Sequence, residues 1–109
     1  MTETERLTAE LEKTAIPEYM RASAIGYLTG TTPYAGGFLT ALLENDLCGA
    51  VLRADPRNTA CLDEWVRFLI NHAPSNAWGS PDKVRDWKFA CTTAIAASEI
   101  IYGEGHAAP

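Results

Sequence analysis

Leu7 and Leu11 stand four residues apart in an otherwise polar opening stretch. That spacing predicts an amphipathic helix over residues 2–14, peripheral because its apolar stripe is so narrow. Thr2, with Glu5 three places on, has the form of a capping box, in which hydroxyl and carboxylate satisfy unpaired amides reciprocally. Ile16, Met20, Ala24, Tyr27 and Leu28 recur at helical spacing and predict a second, core-facing helix that Pro17 starts and Gly30 ends. Phe38, Leu39, Leu42 and Leu43 predict a third, after a turn at Gly36-Gly37. Asn45 then reads as a left-handed terminator and Asp46 as the cap of a helix over residues 47–54. The alternative is one continuous helix from Phe38 to Ala54 with both polar residues on its exposed side.

Asp55-Pro56 has clear helix-start chemistry, a capping carboxylate followed by proline at the first helical position. The helix it opens runs to Pro74 and places Leu62, Trp65, Val66, Leu69 and Ile70 on one face. Ser80-Pro81-Asp82 repeats the start. After it, Val84, Trp87, Cys91, Ala94, Ile95, Ser98 and Tyr102 step by three and four until Gly103, the expected stop of a helix of about 22 residues. No stretch alternates with period two long enough for a strand. The pattern therefore predicts an all-α fold, a compact bundle of five or six helices. Its core is expected to hold Met20, Tyr27, Phe38, Leu42, Leu47, Val51, Leu62, Trp65, Leu69, Val84 and Trp87.

At 109 residues, 47% hydrophobic and 21% charged, the chain has the composition of one globular domain. A net charge of −5 argues against unaided binding to nucleic acid, which needs clustered cations. The one basic cluster, Lys83, Arg85 and Lys88, is interleaved with Asp82 and Asp86, which weakens a DNA-binding regulator as a reading. No apolar run approaches the ~20 residues of a membrane span, and the N-terminus is polar and acidic, so a soluble, cytoplasmic protein is expected. Cys48, Cys61 and Cys91 are widely spaced among apolar neighbours and read as small core residues in a reducing compartment.

Catalytic patterns are sparse. His72 and His106 lie far from each other and from any cysteine pair, so no zinc set forms. His72 ends a helix, where a donor near unpaired carbonyls is expected. No Gly-x-Ser-x-Gly occurs, and Gly30–Gly37 lacks the Lys-Ser/Thr of a phosphate loop. Glu44, Asp46, Asp55, Asp63 and Glu64 lack the Glu-x-x-Glu pairing of a magnesium-dependent nucleotide enzyme, which stays as the alternative function. No catalytic, cofactor-binding or metal-binding residue is assigned. Trp78, in a loop, either seals the core or anchors a partner.

A block of residues carries a resemblance. It begins Ile16-Pro17-Glu18-Tyr19-Met20-Arg21 and continues with Gly37-Phe38-Leu39-Thr40-Ala41-Leu42-Leu43-Glu44-Asn45-Asp46-Leu47. Arg53-Ala54-Asp55, Asn58, Phe68-Leu69-Ile70-Asn71, Pro74 and Trp78-Gly79-Ser80-Pro81-Asp82-Lys83-Val84 follow, ahead of Trp87. Over residues 16–87 the chain resembles a family of small uncharacterised proteins of tailed bacteriophages and prophages, with a longer insertion between Pro33 and Gly37 than that family usually has. Residues 1–15, the extension at 88–103 and a tail at 104–109 lie outside the likeness.

The resemblance implies a phage or prophage setting and carries no reaction. It points to a non-enzymatic accessory protein that binds a host or phage protein and modulates it. Candidate partner-binding residues are Asn45, Asp46, Arg53, Asp55 and Asn58, read as exposed, together with Trp78; the competing reading of the polar residues at 45–58 is a buried network that fixes helix packing. Phe89, Ala96, Ala97, Ile100 and Ile101 make the last helix apolar over most of its circumference, and Ala90, Ala94, Ala97 and Ser98 would admit a second helix closely. A two-fold homodimer through this helix is expected, against the alternative that Leu7 and Leu11 cover it within one chain.

Overall fold

Local caps set the helix boundaries. In the computed structural model, which describes the backbone of residues 2–107 and the side chains of residues 2–97, seven helices follow one another without a strand among the described residues. They are α1 (Glu3–Glu12), α2 (Glu18–Leu28), α3 (Gly36–Leu43), α4 (Leu47–Arg53), α5 (Pro56–Ala60), α6 (Leu62–His72) and α7 (Pro81–Ala107). The fold is the expected all-α bundle. Thr2 Oγ1 accepts from the Glu5 N–H at 3.1 Å, Asp46 Oδ1 from Gly49 at 3.0 Å, Asp55 Oδ1 from Asn58 at 2.8 Å and Ser80 Oγ from Lys83 at 3.2 Å. Each satisfies an amide that the first helical turn leaves unpaired.

Two helices end in the same way. Gly30, at φ 76°, lets its own N–H reach the Tyr27 carbonyl at 3.1 Å and the Thr31 N–H reach Gly26 at 2.9 Å. Asn45, at φ 63°, repeats this with Asn45 N–H on Leu42 at 3.1 Å and Asp46 N–H on Ala41 at 2.9 Å. Both are Schellman turns, which need a left-handed residue just past the helix. The separate α3 and α4 thus replace the continuous alternative.

The single helix expected from Pro56 to Pro74 is instead two. Cys61 leaves helical geometry at φ −120° and ψ 26°, and α6 starts anew at Leu62. With this break the buried face of α6 is Trp65, Phe68 and Leu69. Val66 and Ile70, expected inside, are 36% and 64% exposed. The core favours the larger aromatic Phe68, and Trp65 meets Phe38 edge to face at 5.9 Å.

Helix α1 buries the narrow stripe expected of it, with Leu7 and Leu11 1% and 0% exposed, and packs against α2 and α6. Two further expectations need correction. Leu47 and Val51, assigned to the core, are 66% and 47% exposed, and Cys48 is exposed as well. Helix α4 packs against α3 and buries only its smallest residues, Gly49 and Ala50, with the Asp46 and Arg53 side chains over Gly49, while the larger ones face outward. Helix α7 continues past Gly103 to Ala107, since a glycine weakens a helix by about 1 kcal/mol without ending it. The side chains of Ser98, Ile100, Ile101, Tyr102 and His106 lie outside the described residues.

Helix α7 closes the bundle against the end of α2. Trp87 Nε1 donates to the Tyr27 carbonyl at 2.8 Å and Cys91 Sγ to Gly30 at 2.7 Å. The Tyr27 hydroxyl donates to the Ala77 carbonyl at 2.6 Å, and burial pushes this phenol's pKa up. The Gly79 N–H donates to Leu43 at 2.7 Å, which ties the α6–α7 loop to the end of α3.

Candidate functional site

The corner between α3 and α4 opens a groove of about 450 Å³ toward α6. Its formation follows from the local chemistry of that corner. The left-handed Asn45 reverses the chain, the Asp46 cap starts α4 at once, and the Gly79–Leu43 bond brings the Trp78 loop alongside. Leu42, Leu47, Leu62, Val66 and Trp78 supply the apolar walls. Asn45, Asp46, Asp63 and Arg67 supply the polar groups. Arg67 Nη1 donates to Asp63 Oδ2 at 3.2 Å in an exposed pair, which is worth little in water.

Of the six candidate residues, Asn45, Asp46 and Trp78 come together here. Arg53 does not line the groove but stands beside Asp46 at Gly49: its Nη1 donates to Gly49 O at 3.2 Å, and its stem crosses Gly37, where an added Cβ would sit 3.2 Å from Arg53 Cδ. Asp55 caps α5 and accepts from the Tyr19 hydroxyl, with the Arg57 guanidinium 5.3 Å from the Tyr19 ring centre. The Tyr19 hydroxyl, and then the Asn58 amide, hold the Asp55 carboxyl below the usual carboxylate range.

Asn58, expected on the surface, is 3% exposed. Its Nδ2 donates to Asp55 Oδ1 at 3.0 Å and its Oδ1 accepts from Trp65 Nε1 at 3.0 Å. Tyr19, Asp55, Asn58 and Trp65 thereby form one chain of hydrogen bonds from the surface of α2 to the centre of the core. Asn58 belongs to packing, as the competing reading has it, whereas Asp55 is exposed and caps α5; a network of this kind specifies one arrangement of helices when fully satisfied.

The sequence reading missed Leu47 and Val66 as exposed walls of the groove; Val51 and Leu52 on α4 and Ile70 on α6 are exposed as well. A signal was present: Leu47, Cys48, Val51 and Leu52 wrap more of a seven-residue helix than one buried face can use, while Gly49-Ala50 marks the side of close approach.

His72 sits away from the groove, between Arg6 Nη1 at 3.2 Å from Nδ1 and Glu10 Oε2 at 3.4 Å from Nε2. Arg6, rather than His72, provides the donor to the last carbonyl of α6, at 3.4 Å. The carboxylates are dispersed: Glu64 accepts from the Ala15 N–H at 3.0 Å, while Asp46 and Asp55 cap helices. Among the described residues, no three His, Cys, Asp or Glu side chains stand close enough to hold a metal ion, and no helix is long and apolar enough to cross a membrane. The groove's own lining contains no histidine, cysteine, serine or lysine. No family model, curated protein or solved structure matches the chain.

Proposed function

We propose that this chain is a small phage or prophage accessory protein that acts in the host cytoplasm without catalysis, by binding a host or phage protein and modulating it. One observation carries the reading. Leu47 and Val66 stand exposed in the wall of an apolar groove of about 450 Å³, on helices that also expose Val51, Leu52 and Ile70. Soluble proteins scatter such residues singly, whereas a cluster around a concavity marks an interaction site. The residues that resemble the phage family include Asn45, Asp46, Leu47 and Trp78 of this groove.

The test compares the tagged protein with a Leu47→Asp, Val66→Asp variant in affinity capture from bacterial host cells, followed by reconstitution with the purified captured protein. Both positions are exposed, so the variant is expected to fold, which circular dichroism checks. A protein that binds the wild type and is released by the variant supports the proposal. Equal binding to both refutes it.

Self-association through α7 is a second reading. Phe89 is 73% exposed, on the side of α7 away from Cys91 and Val84, which are 6% and 1% exposed. Ala90, Ala94, Ala96 and Ala97 are exposed too. Light scattering on a sizing column checks it, and a mass near 11.8 kDa at micromolar concentration overturns it.

A further inference from the structure

Helix α6 is apolar on two sides. Trp65, Phe68 and Leu69 are buried in the core. Leu62, Val66 and Ile70 recur every fourth residue on another side, where Val66 and Ile70 are 36% and 64% exposed. Eight residues at 1.5 Å give this stripe a length on the order of 12 Å, about two helical turns. Leu47 of α4 and Trp78 flank the groove beside it, with Leu42 between. We infer that the groove's occupant is an amphipathic α-helix whose aliphatic anchors are flanked by lysine or arginine. The inference rests on the reading of this groove as a docking surface and adds the chemistry of what docks.

Shape selects a helix. A partner helix offers anchors at i, i+4 and i+7, a span of about two turns that matches the α6 stripe. Strand addition requires an open sheet edge, and the described residues contain no strand. Proline-rich segments dock on grooves lined by several aromatics, and Trp78 is the one aromatic lining this groove.

Charge selects the flank. The rim holds two carboxylates, Asp46 and Asp63, against one guanidinium, Arg67. Asp46 spends Oδ1 on the Gly49 amide, and its exposed Oδ2 shares the space beside Gly49 with the Arg53 guanidinium, so Asp63 is the stronger of the two cation sites. Asp63 is tied to Arg67 only by an exposed pair that a partner cation can replace at small cost. The chain's overall charge of −5 steers a cationic partner and repels an anionic one.

The probe is a helical peptide of leucine and lysine, about 14 residues or four turns long. Its control has glutamate in place of every lysine. Each is titrated into nitrogen-15-labelled protein while the amide and indole signals are followed. The leucine–lysine peptide is expected to bind about tenfold or more tighter than the control. Its shifts should centre on the Trp78 indole and the α6 stripe, and the Leu47→Asp, Val66→Asp variant should lose them. Asp46→Asn, which retains capping ability, combined with Asp63→Asn should bring the two peptides toward equal affinity. Equal binding of both peptides by the wild type overturns the charge argument. Binding that survives in the Leu47→Asp, Val66→Asp variant is diffuse attraction to an acidic protein and overturns the site. If neither peptide binds, the helical occupant is wrong, while capture that depends on the groove would still support a docking surface for a differently shaped partner.

Discussion

Asn58→Ala tests the reading of the buried network most directly. Asn58 is 3% exposed and Trp65 is 0% exposed, so water has little access to the 3.0 Å bond between them. The indole N–H can only donate, and truncation of Asn58 leaves it buried without an acceptor, a cost of about 1–3 kcal/mol. The bond from Asn58 Nδ2 to Asp55 is lost too, but Asp55 keeps the Asn58 backbone N–H, so this adds about 1 kcal/mol. The expected total is about 2–4 kcal/mol, or a fall of about 10–20 °C in melting temperature for a domain of this size. Urea denaturation followed by far-ultraviolet circular dichroism measures it. A Trp65→Phe background separates the bond from the cavity, because it removes the stranded donor. There Asn58→Ala is expected to cost about 1–2 kcal/mol less than in the wild type. A loss below about 0.5 kcal/mol for Asn58→Ala alone, or strict additivity of the pair, would refute the reasoning.

Other outcomes follow from the same structure. Leu11→Ala should destabilise by about 2–5 kcal/mol in thermal denaturation, because it empties a site that is 0% exposed. Asn45→Ala should cost about 1 kcal/mol, because a Cβ without a polar side chain is disfavoured at φ 63°, whereas Asn45→Gly should be neutral or stabilising. The folded state holds Asp55 below its ordinary value of 3.8, so the unfolded chain takes up this proton first on acidification. The stabilisation is complete above that ordinary value and is lost as pH falls through the depressed one; Glu3 and Glu10 shift in the same direction. Melting temperature should therefore decline more steeply with acid in the wild type than in Asp55→Asn, measured from about pH 6 to 2.5.

What could be read in advance was local. The caps at Asp46, Asp55 and Ser80 and the left-handed Asn45 need only neighbours within four residues, so the sequence contains all their chemistry. The choice of inside and outside on short helices is different. Helix α4 buries Ala50 and turns Leu47 and Val51 outward where it packs against α3, a choice that depends on a partner helix. Helix α6 hides Phe68 and exposes Ile70 because its core side centres on Trp65, which packs against Phe38 from another helix. Half the groove's polar rim was legible, through Asn45 and Asp46, and so was Trp78. Its apolar walls were not, because period alone cannot separate a residue that faces its own core from one that faces a partner's.

The bonds from Tyr27 to Ala77 and from Gly79 to Leu43 decide where the chain can be lengthened. Residues 73–80 look like an ordinary connection, yet their backbone is fastened to the ends of two helices through pairs 50 and 36 residues apart in number. An inserted tag or fluorophore there would pull both fastenings apart and displace Trp78 with them. The neighbourhood of Tyr34, which is 77% exposed, carries no such fastening on its side chain. Doubling a free loop costs only about 0.6 kcal/mol of closure entropy. Anyone splicing a reporter into this protein should therefore cut beside Tyr34 and leave the second loop whole.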